Sequence, residues 1–323
     1  MSRMVSQTPE YTPEAAAERV SRALDVLKNE RQPLENVIEA FRGIFVEKAR
    51  LKAGITLSQE ISLEVPDSAR FQQGVPVASW GDLIDFDHTM WMKAADQLIP
   101  AMEKGFPKLV DDIQKLKKAL EGGDLDPQNY LKAMAGDRTE EMQATASRMG
   151  IASRSIEFVL SHIMKPLVEK KAELLKPLIK DLHWQKGYCP ICGSMPELAF
   201  LKGKEGQRWL RCSLCANKWR FVRLACPFCG NTDHDKLLTY YIADRDQERA
   251  EVCQQCKRYV VSIDIRDRSD ETLVEVAALG LVHLDVISQQ KGFLPAAICA
   301  WNMVTADDFS SLSVGTNARN GGD

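Results

Sequence analysis

The sequence predicts a multi-domain chain with an α-helical amino-terminal domain, two tandem small β modules that each carry four cysteines, and a carboxy-terminal helix. Apolar residues recur at helical spacing through most of the first half. Eight of the 9 cysteines form four Cys-x-x-Cys pairs within residues 189–256, and short β-prone runs separate those pairs. The predicted division is residues 1–182 for the helical domain, 183–224 and 225–268 for the two modules, 269–305 for the closing helix, and 306–323 for a disordered tail.

Composition and charge indicate a globular protein and argue against a membrane-spanning or strongly basic one. A chain of 323 residues with 45% hydrophobic residues can bury more than one ordinary core. Its net charge of −3 gives no global attraction to nucleic acid or membrane. Residues 1–13 lack the basic and apolar segments of a signal peptide, and the apolar-rich stretch 274–287 is too short and too charged to cross a bilayer. We therefore expect a cytoplasmic protein without membrane insertion.

Local signals support the helical domain. Thr12 followed by Pro13 is typical of a helix start, because the hydroxyl can accept a bond from an unpaired amide and proline has no amide to lose. Asp126 and Pro127 repeat that signal. Beyond residue 270 a second apolar stripe predicts the closing helix. Between the two helical regions, β-branched and aromatic residues predict strands at 209–210, 219–222, 237–242 and 259–265.

The cysteine pairs carry the strongest chemical signal. They are Cys189 and Cys192 in CPICG, Cys212 and Cys215 in CSLC, Cys226 and Cys229 in CPFCG, and Cys253 and Cys256 in CQQC. Two intervening residues allow a tight turn to direct both sulfurs at one ion, and facing turns make a tetrahedral four-sulfur site of the zinc-ribbon or rubredoxin kind. We predict all eight as metal ligands in two sites. Pairing the first turn with the second and the third with the fourth is the simplest of three arrangements.

Neighbouring residues fit such turns. Gly193 and Gly230 follow the second cysteine of their pairs, where a left-handed backbone costs glycine little, and Pro190 and Pro227 restrict the chain after the first cysteine. Modules this small lack an adequate apolar core, so metal binding should supply about 10 kcal/mol of folding free energy. Basic residues of the first module should offset the thiolate charge. They are Lys186, Lys202, Lys204, Arg208, Arg211, Lys218, Arg220 and Arg223.

Several interpretations of the cysteines remain open. Zinc would only hold the modules together, whereas iron would give a redox centre, and thiolate ligands suit both metals. A complete set of four sulfurs leaves no position for hydrolytic catalysis. Thiol–disulfide exchange fits four tandem pairs less well than metal binding does.

The chain resembles the formate dehydrogenase accessory protein family, FdhE, over roughly residues 183–293. The resemblance is carried by CPICGSMP at 189–196, by RWLRCSLCANKWRFVRLACPFCG at 208–230, by the CQQC pair, and by a later stretch with His283 and Asp285. It implies a helical domain followed by rubredoxin-like modules, with the eight cysteines binding iron rather than zinc. It also implies a cytoplasmic assembly factor that recognises the catalytic subunit of respiratory formate dehydrogenase and is not itself an enzyme.

Other residues are weaker candidates. His183 and His234 are interpreted as loop or packing side chains, and His283 and Cys299 as buried ones. The motif DFDH at 85–88 is interpreted as a helix start rather than a metal site. We find no catalytic or organic-cofactor motif. The alternatives are a nucleic-acid-binding zinc ribbon, with Trp209 and Trp219 as stacking residues, or a thiol-redox protein; self-association is also possible.

Overall fold

The computed structural model describes residues 11–57, 67–135, 138–268, 273–299 and 301–302. Two compact units divide the chain: residues 1–64 with 78–174, and residues 65–77 with 175–323. The predicted tail at 306–323 lies outside the described residues. No helix within the described ranges is both long and apolar enough to cross a membrane.

Helices dominate the first unit and flank the sheet of the second. They are α1 (Pro13–Glu30), α2 (Glu35–Gly54), α3 (Ser68–Gln73), α4 (Trp80–Leu83), α5 (His88–Gly105), α6 (Val110–Gly122), α7 (Pro127–Ala135), α8 (Thr139–Met149), α9 (Ser153–Leu175), α10 (Val274–Leu279) and α11 (Val282–Gln290). The strands are β1 (Pro196–Lys202), β2 (Gln207–Cys212), β3 (Lys218–Arg220), β4 (Leu237–Tyr240), β5 (Glu248–Cys253), β6 (Arg258–Asp264) and β7 (Leu294–Pro295).

The predicted helix starts are confirmed. The Thr12 hydroxyl accepts a bond of 3.2 Å from the amide of Ala15, at the start of α1. Asp126 accepts one of 2.8 Å from Gln128 at the start of α7. In the DFDH motif, the Asp87 carboxylate accepts a bond of 2.8 Å from the amide of Met90. That motif therefore caps α5, as its sequence indicates.

In the first unit α2 packs against both α1 and α5. Gly105, at the end of α5, lies so near the carbonyl of Ala40 that a side chain there would collide with it. His162 on α9 is buried in the same unit, where its Nδ1 lies 2.8 Å from the Phe158 carbonyl. Burial lowers the pKa of His162 to about 3, so this histidine is a neutral core side chain.

One mixed sheet joins the two cysteine modules in the second unit. Its strand order is β3-β2-β1-β6-β5-β4, with β7 paired to β6. The first module contributes antiparallel β1–β3 and the second antiparallel β4–β6. A parallel pairing of β1 with β6, with Leu198 opposite Val261, connects them. The predicted class, helices followed by small β modules, is confirmed, but the two modules share a single sheet.

The described part of the segment 65–77 packs on the first cysteine turn, although it lies more than a hundred residues earlier in the chain. Phe71 contacts Trp184 with ring centroids 4.6 Å apart. The amide of Val77 donates a bond of 3.0 Å to the carbonyl of Pro190, inside the turn itself. The domain boundaries given above do not include this association and stay a prediction.

The predicted closing helix is divided into α10 and α11. Gly280 lies at the junction, where its poor helix propensity favours a break. On α11, the buried carboxylate of Asp285 accepts a bond of 2.8 Å from the Tyr259 hydroxyl on β6. Burial raises the pKa of Asp285 from 3.8 to about 7.

We predict that Gly187→Ala destabilises the second unit by about 3 kcal/mol, because a Cβ at Gly187 would collide with the backbone of Pro227 in the third cysteine turn. Denaturant unfolding of the metal-loaded protein measures this change. Gly203→Ala is the control: its φ is +76° and nothing lies within 4 Å, so it should cost only about 1 kcal/mol. Equal effects of the two substitutions would contradict the close approach.

Asp285→Asn should make stability less dependent on pH. A carboxyl group whose pKa is raised in the folded state contributes stability that is complete below its unfolded pKa near 3.8 and is lost as pH rises through about 7. The free energy of unfolding of Asp285→Asn, relative to the original protein, should therefore increase between pH 5 and pH 8. A difference that stays constant over this range would exclude a buried carboxyl with a raised pKa.

Candidate metal centres

The eight paired cysteines gather in two clusters. Each cluster unites two turns, and its four sulfur atoms all lie within 4.8 Å of one another. The first cluster contains Cys189, Cys192, Cys212 and Cys215, and the second contains Cys226, Cys229, Cys253 and Cys256. Of the three possible arrangements, the structure therefore has the first turn facing the second and the third facing the fourth.

Sulfur–sulfur distances match a tetrahedral ion site. In the first cluster Cys189 and Cys215 are 3.6 Å apart, and in the second Cys226 and Cys256 are 3.7 Å apart. A tetrahedron with metal–sulfur bonds of about 2.3 Å has edges of about 3.8 Å. All eight are free thiols rather than disulfides. Each cluster could therefore hold one metal ion in a complete four-sulfur shell.

In every turn the residue after the second cysteine has a left-handed backbone conformation. The φ angles are 74° at Gly193 and 72° at Gly230, and also 56° at Ala216 and 57° at Lys257. At Gly193, Gly230 and Lys257 the amide donates a bond of 2.9 Å to the carbonyl of the first cysteine of its pair. The left-handed conformation of the two glycines is expected from the sequence. The same conformation at Ala216 and Lys257 is not expected from the sequence, because alanine and lysine normally avoid it.

Backbone and side-chain amides surround the sulfur atoms of the first cluster. The amide of Ile191 donates to Cys189 at 3.4 Å, and the amide of Leu214 donates to Cys212 at 3.4 Å. The side-chain amide of Asn217 approaches Cys189 at 3.9 Å from the opposite turn. Such donors stabilise negative sulfur and so favour thiolate ligands.

Asn231 performs the equivalent role in the second cluster, where its side chain donates to Cys253 at 3.7 Å. Both asparagines are buried, and both also accept a bond through the backbone carbonyl from the first cysteine of their own turn, at 2.9 Å for Asn217 and 2.8 Å for Asn231. Our sequence interpretation did not include them. The available signal was an asparagine two residues after the second cysteine, in CSLCAN and CPFCGN.

Thiol pKa values diverge within each cluster. In the first cluster burial raises the pKa of Cys189 and Cys215. Burial also opposes ionisation of Cys192, yet hydrogen bonds from the neighbouring thiols lower its pKa. Burial also opposes ionisation of Cys253, yet the amides of Cys256 and Gln255 lower its pKa to about 7. Burial raises the pKa of Cys256. Four adjacent thiols cannot all ionise without a cation between them, so metal binding must release protons and strengthen as pH rises.

The two clusters differ in accessibility. All four cysteines of the first cluster are buried, and the segment containing Val77 covers its first turn. In the second cluster Cys229 is exposed and Cys256 is half-buried. Solvent and small molecules can therefore reach the second site more easily than the first.

Two of the eight basic residues predicted to offset thiolate charge are buried arginines that pair instead with carboxylates. Arg211 pairs with Glu197 and lies 3.7 Å from Glu275. Arg208 pairs with Glu251 on β5. Because their charges are matched by carboxylates, these two arginines mainly connect strands and elements within the unit.

The weaker candidates lie away from the clusters. His183 and His234 are exposed, and the potential metal-binding groups among the described residues contain only cysteines. His283 is buried, with Nδ1 lying 3.1 Å from the Gly280 carbonyl. Cys299 is also buried, 3.5 Å from a carboxylate oxygen of Glu197. The structural interpretations of His283 and Cys299 are thus confirmed.

Chelation should remove metal from the two sites at different rates. With metal in both sites, an excess of a chromogenic chelator should remove the metal in two phases of equal amplitude. The rate constant of the fast phase should be at least ten times that of the slow phase, because Cys229 is exposed. Cys229→Ser with Cys256→Ser should eliminate the fast phase, and Cys192→Ser with Cys215→Ser the slow one. Release in a single phase, or the reverse assignment, would contradict the difference in burial.

Comparisons with known proteins agree with this geometry. A family model described as FdhE, central domain, matches residues 188–223, which include the first two cysteine turns. An FdhE homolog of Aquifex aeolicus is 32% identical over 148 residues, which are 45% of this chain and 51% of that protein. The chain thus matches only about half the length of that relative.

Longer matches come from two other bacteria. An FdhE homolog of Shewanella oneidensis is 26% identical over 281 residues, 85% of this chain and 84% of that protein. Protein FdhE of Escherichia coli is 27% identical over 253 residues, 69% of this chain and 78% of that protein. The crystal structure of FdhE from Pseudomonas aeruginosa matches 90% of this chain and 97% of that one, with a TM-score of 0.64 and 19% identity, so the fold is shared. The resemblance to the FdhE family is confirmed: the chain is similar to FdhE proteins over most of its length.

Proposed function

We propose that this protein is an accessory factor for formate dehydrogenase that acts in the cytoplasm and binds the catalytic subunit of that enzyme. The observation that carries the proposal is the pair of four-cysteine clusters in one sheet, in a chain related to FdhE proteins over most of its length. The family resemblance implies formate dehydrogenase as the enzyme that this protein serves.

The eight cysteines are the proposed ligands, with one ion in each cluster. Iron would supply a one-electron couple at these sites, whereas zinc would supply only structure. The family resemblance favours iron, and the sulfur geometry accepts either metal. Four sulfurs complete a tetrahedral shell, so the sites offer no open position for a substrate. This supports a binding protein rather than an enzyme.

Contacts between the two modules hold the shared sheet in one rigid arrangement. Parallel pairing of β1 with β6 makes them one sheet. Arg208 on β2 donates to the carbonyls of Val222 at 3.1 Å and Ala225 at 2.8 Å, and it pairs with Glu251 on β5. A partner bound to one module would therefore meet a surface whose geometry depends on both metal sites.

The alternative functions have less support. Trp219 is 5% exposed, so it is a core residue and does not offer a face for stacking on a base. Trp209 is half-buried and its ring stacks on Phe200 with centroids 6.4 Å apart. Thiol exchange would need a reactive pair of cysteines, whereas each pair here faces another pair at ligand distance.

Deletion of the gene should abolish respiratory formate dehydrogenase activity in the native host, and the original gene should restore it. A variant with Cys192→Ser and Cys215→Ser should restore less than about a tenth of the activity, because losing the ion unfolds the first module. The measurement is formate-dependent reduction of an artificial electron acceptor by cell extracts.

Cys299→Ser is the matched control, since Cys299 is buried but belongs to neither cluster; it should restore most of the activity. A purified complex between the metal-loaded protein and the catalytic subunit tests binding directly. Unchanged activity after gene deletion, or absence of a complex between the purified proteins, would refute the proposed function.

A further inference from the structure

A cavity of about 200 Å³ lies in the second unit beside the second cluster. Cys226 and Cys253 form part of its lining, and apolar side chains, including Leu238, Val252 and Val260, form another part. Val252 and Val260 are buried strand residues, so this wall is fixed by the sheet. We call this space the arginine cavity, after the four arginines that also line it: Arg208, Arg223, Arg249 and Arg258.

Positive charge exceeds negative charge in the arginine cavity. Against the four arginines, Glu251 is the one acidic residue in the lining, and it pairs with Arg208. Arg208 also donates to two backbone carbonyls, so its role is internal. Three arginines remain, and their charge exceeds the net charge of about −2 that four thiolates around a divalent ion leave on the adjoining cluster, so the cavity keeps a net positive charge.

Backbone and aromatic contacts position two of these three. The Arg258 guanidinium lies 3.8 Å from the centre of the Phe228 ring and donates to the Pro295 carbonyl at 3.3 Å. Arg249 donates to the Asp246 carbonyl at 2.5 Å. These contacts orient the guanidinium groups without neutralising their charge. Asp264, which interacts with Arg249 at longer range, is itself paired with Arg266 at 2.6 Å.

Exposed apolar residues occur in the lining of the cavity and next to it in the chain. Leu224 lines the cavity and is 57% exposed. Ala296 also lines it, and its near neighbours in the chain, Leu294 and Ile298, are 60% and 72% exposed. Arg223 is exposed beside Leu224. Large apolar side chains around a cationic recess are typical of a protein-binding surface.

We propose that the arginine cavity receives an acidic side chain of a partner polypeptide, while apolar neighbours of that residue cover Leu224, Leu294 and Ile298. Charge complementarity selects the carboxylate, because an arginine fork binds it with two parallel hydrogen bonds. The volume suits one or two side chains and is below the roughly 300–1,000 Å³ of sites for whole small-molecule ligands. Identification of the partner as the catalytic subunit of formate dehydrogenase rests on the proposed function.

The first test measures the dissociation constant of the metal-loaded protein for the purified catalytic subunit. Arg223→Gln combined with Arg249→Gln should weaken binding at least tenfold with unchanged metal content. The control, Arg220→Gln with Lys204→Gln, removes the same charge from exposed positions outside the cavity lining and should change binding less than twofold. Equal effects of the two variants, or no effect of the first, would overturn the proposed role of the arginine cavity while leaving the proposed function intact.

The second test does not need the catalytic subunit. A fluorescein-labelled heptapeptide of alternating leucine and glutamate should bind the original protein and raise fluorescence anisotropy, whereas its leucine–glutamine counterpart should bind at least tenfold more weakly. Arg223→Gln with Arg249→Gln should remove the difference. Equal binding of the two peptides, or displacement of the acidic peptide by single-stranded oligonucleotide at lower concentration than by unlabelled peptide, would overturn the proposal. Peptide binding that depends on Arg223 and Arg249 of the arginine cavity, without binding of the catalytic subunit, would refute only the proposed function.

Discussion

The second unit depends on the convergence of four sulfur atoms in each of two clusters. Each cluster connects two turns that are separated by two strands in the chain, so an ion between the sulfurs would hold a hairpin closed at its base. Without a cation, four close thiols would have to stay largely protonated, because burial raises the pKa of several of them. Metal binding and folding of this unit are therefore expected to be one coupled equilibrium.

The turns illustrate how strongly that geometry acts on the backbone. Ala216 and Lys257 adopt the same left-handed conformation as the two glycines at equivalent positions. A residue with a Cβ loses roughly 1–2 kcal/mol in this conformation, which the sulfur geometry and the adjoining backbone bonds must offset. Glycine at this position makes the turn easier to form but is not a requirement.

The two modules share one sheet, but their surroundings differ. The first cluster is covered by a segment from the amino-terminal part of the chain and is buried, while the second has Cys229 at the surface. The arginine cavity adjoins the more exposed cluster, and two of the cysteines of that cluster contribute to its lining. Occupancy of the second metal site and occupancy of the arginine cavity are consequently expected to influence each other through shared residues.

The sequence by itself determined the local features. Helix starts at Thr12 and Asp87, strands such as β4 and β6, and turns around each cysteine pair depend on neighbouring residues, and all agree with the structure. Identification of the eight cysteines as one chemical set also needed only their spacing. β1 was not predicted, because nearly all of its residues are buried and the polar–apolar alternation of a half-exposed strand is absent.

Tertiary structure decided how these pieces meet. Parallel pairing of β1 with β6, the packing of Phe71 on Trp184, and the burial of Arg208 and Arg211 all join residues far apart in the chain. Local propensity carries no information on such contacts, and a charged residue in a sequence is first expected at the surface. The same limit applies to the pairing of the turns and to the arginine cavity, since both depend on distances in space that a single sequence does not specify.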